Sequence, residues 1–516
     1  MPWQSHRLVK RRNRIAITER VMLPYGDVAA ELNEQEVLDA AQVFKARGIG
    51  SVIVCFLYSF LNDTHERRAK ALIQSVLPDA YVSCSSEVVN VIRGYERFST
   101  TAMNAFVGPK TALYLNNLEG KLRDAGINAH LRIMQSNGGV STVEMCAQRP
   151  VSILMSGLAG GVMGGCWAGA MSDVRDVITV DIGGTSVDFS TIPDGQVKIM
   201  NPRDTYVGSY SVLASMIDMA TMGAGGGSIA YLDEGGAFRV GPRSAGADPG
   251  PACYGRGGTE PTVTDAQVVL GRLDPDQFLG GVKIDQELAH RAIEEKIARP
   301  LGMSVTEAAL GIIRILNSNM SFAIRANSVV KSFDPRRFAL LPFGGAGPLN
   351  GVALAEAVSA REVIVPPAPD ITAAIGLLVT DMQYEFTRSV LTVLDNVTEE
   401  GIDKINGVID ELTVQCRTRL EAHVVPAYRQ HYVRVAECRY TARASSCADM
   451  PDGVVSLANV GQLKTNFRAQ HKRDYGWAFD DVEVEIVTLR VIGVAKTPAL
   501  QWPPLSTGST RPTTAR

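Results

Sequence analysis

The feature that most constrains the fold is an apolar strand running into a Gly-Gly turn between two aspartates, Val180-Asp-Ile-Gly-Gly-Thr-Ser-Val-Asp188. Glycine lets a backbone approach phosphate oxygens closely and point several N–H groups at one anion. We therefore predict that Gly183 and Gly184 contact phosphate. The hydroxyls of Thr185 and Ser186 can donate to the same oxygens.

The two aspartates of this turn are the candidate catalytic residues. Asp181 lies where a carboxylate could hold Mg²⁺ through water or orient an attacking water. Asp188 closes the same turn. The alternative is an ordinary tight hairpin, in which Asp and Gly are common residues.

A second glycine turn, Phe343-Gly-Gly-Ala-Gly-Pro-Leu349, also follows an apolar strand and leads into a predicted helix. Backbone N–H groups at a helix N-terminus form a natural anion site. Gly344, Gly345 and Gly347 are therefore predicted to contact a nucleotide. The same pattern also occurs where a strand and a helix simply pack closely, and that alternative stays open.

A third glycine cluster, Met222-Gly-Ala-Gly-Gly-Gly-Ser228, adds Gly225 and Gly226 as candidate nucleotide contacts. It lies within a long Gly- and Pro-rich segment from Gly208 to Asp265, and loops of that length are usually functional. Five of its side chains are candidate substrate contacts: Arg243, Ser244, Asp248, Cys253 and Tyr254. Cys253 is the only cysteine considered as a reactive thiol, and the alternative is an inert loop cysteine. For the segment as a whole, the alternative is a structural Ω-type loop, followed by a helix capped by Thr264 or Asp265.

Composition bounds the class of protein. A chain of 516 residues with 46% hydrophobic and 20% charged residues is expected to form two or three globular domains. A net charge of −3 gives no reason to expect nucleic acid or a membrane surface. Eight scattered cysteines without a CxxC pair suit a reducing cytoplasm. The glycine-rich stretch Ser152–Met171 is interpreted as a buried helix rather than a membrane span.

Other catalytic signatures are missing from the sequence. The seven histidines show no HxH or HExxH spacing, so a histidine-based metal site is not supported. Neither a P-loop nor a Gly-x-Ser-x-Gly elbow occurs, which excludes P-loop and α/β-hydrolase interpretations.

Periodicity predicts alternating strands and helices at the start of the chain and a change of character after residue 395. The predicted helices are Glu34–Arg47, His65–Val76, a block over Asp285–Val330, Leu349–Val358 and a long helix after residue 395. The predicted strands are Val52–Leu57, Leu131–Met134, a strand–turn–strand over Asp176–Ile192, Phe338–Phe343 and Val482–Val494. We expect an N-terminal domain over residues 1–145, a central domain over 146–390, a C-terminal α+β domain over 391–500 and a disordered tail over 501–516.

Taken in order, these strings resemble the hydantoinase A/5-oxoprolinase family over nearly the whole chain. Besides the three glycine turns and the Val240–Gly258 loop, the landmarks are Tyr95–Thr101, Asn104–Val107, Gln135–Gly139, Ser156–Val162 and Pro261–Asp265.

The resemblance implies an actin/Hsp70/sugar-kinase (ribonuclease H-like) ATPase fold. It also implies ATP- and Mg²⁺-dependent ring opening of a cyclic amide such as a hydantoin or 5-oxoproline. In the family's pattern, Asp181–Thr185 is the second phosphate loop and Gly344–Gly347 the adenosine-side loop. The expected partner is a separate hydantoinase B-type subunit. Relatives that are subunits of ATP-dependent ketone carboxylases offer a second reaction.

The chain also departs from the family's pattern. The family begins with an Asp-x-Gly-Gly-Thr phosphate loop, and nothing before Arg11 resembles it. We therefore expect a shortened N-terminus and an incomplete first half of the ATPase fold. That expectation raises the alternative of a non-catalytic subunit or fragment. Smaller departures are Leu158 in place of proline, Ala220 and Asn350 in place of histidine, and Ser332-Phe333 in place of Gly-His.

Overall fold

The computed structural model describes residues 7–23, 25–200, 205–276, 283–441, 445–500 and 502–503. The predicted tail therefore lies almost wholly outside the described residues. The described chain folds into an N-terminal α/β unit, a central unit around a four-stranded sheet, and a C-terminal unit around a six-stranded sheet.

The N-terminal unit is a two-stranded parallel sheet covered by helices, with a short hairpin before it. Val37, Val52 and Ile73 belong to its apolar core. The side chain of Asn33 accepts the Glu36 N–H and so caps the first helix. The elements are β1 Arg20–Val21, β2 Val28–Ala30, α1 Glu34–Ala46, β3 Ser51–Val54, α2 Thr64–Val76, β4 Tyr81–Cys84, α3 Ser85–Val88 and α4 Gly94–Asp124.

The central unit begins with a small antiparallel pair and a glycine-rich helix. These elements are β5 Arg132–Met134, β6 Val140–Thr142, α5 Val143–Gln148 and α6 Ser156–Met171. The core sheet and its hairpins follow as β7 Val177–Ile182, β8 Val187–Ile192, β9 Tyr206–Val207, β10 Tyr210–Ser211, β11 Ala220–Met222, β12 Ser228–Leu232 and β13 Phe238–Ser244. The remaining elements are α7 Val263–Val269, α8 Gln286–Ile293, a π-helical turn Glu294–Ala298, α9 Arg299–Leu301, α10 Val305–Val330, β14 Ala339–Phe343, α11 Gly347–Val358 and α12 Thr372–Val379.

The central sheet has the strand order β11-β8-β7-β14, with β14 parallel to β7 and the other pairs antiparallel. Every residue of β14 is buried. Because β7 and β14 are parallel neighbours, their C-terminal ends meet at the same edge of the sheet. This edge carries two of the predicted glycine turns.

The C-terminal unit packs two helices on a sheet of order β17-β16-β18-β15-β6-β5. Its elements are β15 Met382–Val393, α13 Glu399–Ala422, β16 Gln430–Tyr440, β17 Ser445–Asp449, α14 Val460–Tyr475 and β18 Val484–Ala495. The predicted domain boundaries stay predictions. However, this sheet crosses both the 145/146 and the 390/391 boundary, because it contains β5, β6 and all of β15.

Most predicted elements are confirmed to within a few residues, and the differences have physical reasons. The helical block over Asp285–Val330 is interrupted at Gly302, which adopts a left-handed conformation. The Gly208–Asp265 segment, predicted as loop, contains β10 to β13, since glycine and proline hide the strand alternation. The N-cap of α7 is Thr262, which forms a capping box with Asp265, so Asp265 contributes to the cap as predicted and Thr264 does not.

The Ser152–Met171 stretch contains a helix, α6, as predicted, and eight of its residues are buried. Gly160, Gly161 and Gly164 leave no space for a side chain against α12 and β14. Across the described ranges, no helix combines the length and apolarity needed to cross a bilayer.

Candidate functional site

The first glycine turn is the tip of the β7–β8 hairpin. Ile182 pairs with Val187, and the Gly183 N–H donates to the Ser186 carbonyl over 3.1 Å. Locally, therefore, the tight-hairpin interpretation is correct. Gly184 and Thr185 are exposed at the tip, where their backbone and hydroxyl groups remain accessible to a ligand.

The Met222–Ser228 glycine cluster packs directly against this tip. The N–H groups of Gly226 and Gly227 donate to the carbonyls of Gly183 and Gly184 over 3.0 and 2.6 Å. A Cβ at Gly225 would lie 2.7 Å from the Gly183 oxygen, so no larger residue fits there. Thr264 also holds this cluster in place, because its hydroxyl donates to the Gly226 carbonyl over 2.9 Å.

The Phe343–Leu349 turn joins the same tip from the neighbouring strand. The Ala346 N–H donates to the Ile182 carbonyl over 2.9 Å, and the Gly344 N–H donates to the Pro369 carbonyl over 2.8 Å. Gly344 has φ +82°, and a Cβ there would collide with the Asp181 carboxylate. Gly345 is exposed and Gly347 begins α11, so the N-terminus of this helix opens beside Asp181.

Asp181 and Asp188 face each other as a direct cross-strand pair. Burial, together with the nearby Asp188 charge, raises the pKa of Asp181 to about 6. Burial also raises the pKa of Asp188, but less, because Thr221 and Ser186 donate to its two oxygens over 2.5 and 3.3 Å. The two carboxyls thus differ in their readiness to hold a proton.

This pair suits a magnesium ion. No Lys or Arg among the described residues forms an ion pair with Asp181 or Asp188, so the carboxylates lack a countercharge. Mg²⁺ takes oxygen ligands and is typically held by one or two carboxylates plus substrate phosphates. No cluster of three or more His, Cys, Asp or Glu residues suited to a metal occurs in the described part of the chain. A two-carboxylate site does not require one.

The predicted substrate loop is only partly at this site. Ser244 lies next to Gly227, and the neighbouring Ala245 N–H donates to the Gly227 carbonyl over 2.8 Å. Arg243 instead stacks on Tyr231 with 5.0 Å between its guanidinium carbon and the ring centroid. Asp248 is exposed on the loop, and Tyr254 is half-buried under Arg256.

Cys253 is buried in an apolar cluster with Val268 and Ala289. Its N–H donates to Asp265 over 2.8 Å, and burial raises the pKa of its thiol. Of the two interpretations of Cys253, burial therefore favours the inert cysteine over the reactive thiol, since a buried neutral thiol is a poor nucleophile.

Sequence reasoning missed three residues of the site: Thr221, Gly227 and Thr264. Thr221 lies opposite Asp188 in the β11–β8 pair, a partnership that only the register reveals. Gly227 was within the glycine cluster but was not singled out. Thr264 was considered only as a helix cap.

Comparison with known proteins identifies the class. The sequence profile described as hydantoinase/oxoprolinase matches residues 97–386. The profile described as the hydantoinase/oxoprolinase N-terminal region matches residues 3–77. The chain belongs to the hydantoinase/oxoprolinase family.

Three relatives illustrate the similarity. The chain is 34% identical to caprolactamase subunit alpha of Pseudomonas jessenii over 504 residues, covering 97% of this chain and 71% of the relative. The crystal structure of ATP-dependent caprolactamase from Pseudomonas jessenii superposes with a TM-score of 0.82 at 33% identity, covering 98% of this chain and 74% of that one. A nucleotide-free acetone carboxylase structure gives a TM-score of 0.76 at 26% identity, covering 95% and 71%.

These matches show the mixed α/β fold shared by caprolactamase and acetone carboxylase. They support the ATP-dependent chemistry of this family, cyclic-amide hydrolysis or carboxylation, at the level of class. The N-terminal profile shows that residues of that region are present. The expectation of an incomplete first half of the ATPase fold stays a prediction.

Proposed function

We propose that this chain binds Mg²⁺-ATP at the junction of its three glycine turns and activates a cyclic amide for ring opening, as the A-type subunit of a hydrolase. The observation that carries the proposal is the convergence of Asp181 with the turns at Gly183–Ser186, Gly225–Gly227 and Gly344–Gly347. Three peptide segments far apart in sequence meet at the tip of the β7–β8 hairpin, and the Gly344 turn packs against the Asp181 carboxylate. The actin/Hsp70/sugar-kinase type of ATPase fold is part of this proposal.

The chemistry follows from the weakness of an amide as an electrophile. Attack of the amide oxygen on the γ-phosphorus forms an O–P bond and releases ADP. Water then adds to the activated carbon, and the ring C–N bond breaks as the nitrogen leaves with a proton. A second water hydrolyses the resulting acyl phosphate to a carboxylate and phosphate. Phosphoryl transfer needs mainly positioning and neutralisation of charge, which suits backbone N–H groups around Asp181.

The two aspartates have separate proposed roles. Asp188, held by Thr221 and Ser186, keeps a fixed orientation. Asp181, with a pKa of about 6, can accept a proton from an attacking water or share a magnesium ion with Asp188. Bound Mg²⁺ would neutralise phosphate charge during transfer. Ser244 is the loop side chain closest to this arrangement.

Calorimetric titration with Mg²⁺-ATP tests the nucleotide site. We expect micromolar binding that Asp181→Asn weakens at least tenfold. Asp173→Asn makes the same chemical change at an exposed residue just before β7 and should leave binding unchanged. Absence of binding to the unaltered chain would contradict the proposal and favour a non-catalytic subunit or a chain that needs a further phosphate loop.

The acetone carboxylase match favours a second candidate, an ATP-dependent ketone carboxylase subunit. The two reactions differ in their requirement for bicarbonate. ATP turnover with a B-type partner and a lactam, in bicarbonate-free buffer, would support ring opening. Turnover that needs both a ketone and bicarbonate would replace it with carboxylation.

A further inference from the structure

A cavity apart from the glycine turns lies where all three units meet. Its lining comes from α3–α4, β5–α5, the segment before β11, and strands β15, β16 and β18. Its volume is about 70 Å³, several times the roughly 10–15 Å³ that one water needs. It therefore has room for a ligand of a few heavy atoms. Two landmarks that the nucleotide site does not use reach it, through Thr100 and through Gln135 and Asn137.

Three arginines and two glutamates line this cavity, and four of these five charges are paired. Arg490 lies 3.4 Å from Glu385, whose carboxylate also accepts the Ser215 hydroxyl over 2.8 Å. Arg93 lies 3.2 Å from Glu437. Each pair brings together opposite charges on mostly buried side chains, so the two charges of each pair neutralise one another.

The third arginine, Arg149, has no such partner. No hydrogen bond or ion pair within the described residues reaches its guanidinium, and its Nε is buried without an acceptor. Burial lowers the pKa of Arg149, and the more distant Glu385 charge opposes that effect. Arginine nevertheless stays protonated in proteins, so the cavity holds an uncompensated positive charge.

The backbone holds Arg149 in place. Its N–H donates to Met145 at the end of α5, and its carbonyl accepts both the N–H and the hydroxyl of Ser152. Across the cavity, Arg93 has φ +97°, a strained value for a residue other than glycine. Such strain persists only where the surroundings enforce it, and it is frequent at ligand sites.

The cavity adjoins a larger polar cleft of about 890 Å³. Arg149 lines both spaces, which also share Val88, Met145 and Thr387 in their walls. Arg149 therefore borders both the outer cleft and the inner cavity.

We propose that this cavity binds a small planar oxyanion, a carboxylate or bicarbonate, with Arg149 as its charge partner. A guanidinium presents paired N–H donors that match the two oxygens of a carboxylate. Arg149 is half-buried, its Nε is buried without an acceptor, and a bound anion would give its charge the partner that the other two arginines already have. Gln135 and Asn137 lie in the same wall, where Gln135 Nε2 donates to the Gln383 carbonyl and Asn137 Oδ1 accepts the Gly139 N–H, so the Asn137 –NH₂ is the amide donor left for a ligand. The proposal does not depend on nucleotide binding.

The test uses the full chain without ATP. Binding of ¹³C-acetate and ¹³C-bicarbonate is followed by NMR line broadening, with acetamide as the neutral isostere and chloride at matched ionic strength. We expect saturable millimolar binding of at least one oxyanion and none of acetamide. The two oxyanion arms distinguish a carboxylate ligand from bicarbonate.

Variants of Arg149 test whether this residue supplies the positive charge that binds the oxyanion. Arg149→Met should weaken the oxyanion at least tenfold, and Arg149→Lys, which keeps the charge but loses the paired donors, should weaken it less. Arg67→Met, at an exposed arginine of the outer cleft paired with Asp63, should stay within twofold. Equal binding to Arg149→Met, or an unaltered chain that does not distinguish oxyanion from acetamide, would overturn the proposal. The second comparison needs no variant and decides even if Arg149→Met fails to fold.

Discussion

At the scale of single residues, the site is organised around a carboxylate that folding makes hard to ionise. Asp181 is half-buried and opposite Asp188, and its pKa rises from an ordinary 3.8 to about 6. A raised carboxyl pKa means that the folded chain holds the proton more tightly than the unfolded chain. The stability from the neutral carboxyl is complete below pH 3.8 and is lost as pH rises through about 6.

Asp181→Asn should therefore stabilise the ligand-free chain at neutral pH but not at acidic pH. If the carboxyl were fully buried, this pKa shift would correspond to about 3 kcal/mol. Its partial exposure reduces the expected gain in stability to about 1–2 kcal/mol. The gain in the free energy of unfolding should be near zero at pH 4 and complete by pH 7.5. Urea denaturation in EDTA measures it.

The matched control is Asp173→Asn, because Asp173 is exposed and its φ of +55° suits asparagine equally well. Its effect on unfolding should not vary between pH 4 and 7.5. A gain for Asp181→Asn that is constant with pH would show that ionisation of this carboxyl does not cost stability.

At the scale of elements, α6 is held by the glycines along it. A Cβ at Gly164 would collide with the Thr372 carbonyl of α12, and one at Gly165 would collide with the Thr179 side chain of β7. The glycines thus let one helix lie against a second helix and the central sheet together. This close packing positions β7, and with β7 the hairpin tip that carries Asp181.

Gly164→Ala should lower the free energy of unfolding by about 1–3 kcal/mol, because overpacking outweighs the better helix propensity of alanine. Gly157→Ala is the control in the same helix: Gly157 is exposed, and a Cβ there meets nothing within 4 Å. It should be neutral or stabilising by up to about 1 kcal/mol. Thermal unfolding of both variants decides, and equal effects would contradict the packing argument.

The sequence allowed α6 to be predicted because its glycines recur within an uncharged apolar run. It did not allow β12 and β13 to be predicted. In that hairpin Gly241 and Pro242 interrupt the alternation of apolar and polar residues from which a strand is predicted. The two strands are instead defined by their pairing with each other. Likewise, the glycine turns could be found from local pattern, whereas Thr221 and Arg149 could not. Their roles depend on strand register and on contacts between units distant in sequence.

At the scale of the whole molecule, the C-terminal sheet extends beyond the predicted domain boundary. The strand β15 pairs with β18 from Met382 to Val393 but meets β6 at a single residue pair, Met382 with Val140. Its Val390 is buried in the C-terminal core, and Phe386 packs against that core. By register and by packing, β15 belongs to the C-terminal unit.

A fragment of residues 380–500 should therefore fold, and one of residues 391–500 should not fold stably. The shorter fragment exposes the edge of β18 and loses the burial of Val390 and Phe386, about 1.5–3 kcal/mol for each fully buried side chain. Those losses are a large part of the stability of a domain this small. The longer fragment should show cooperative thermal unfolding and dispersed amide resonances, and the shorter one should aggregate or melt at least 10 °C lower. Equal stability of the two would assign β15 to the central unit. The cavity that Glu385 and Tyr384 help to line would then lie within that unit, rather than where it meets a C-terminal sheet able to fold separately.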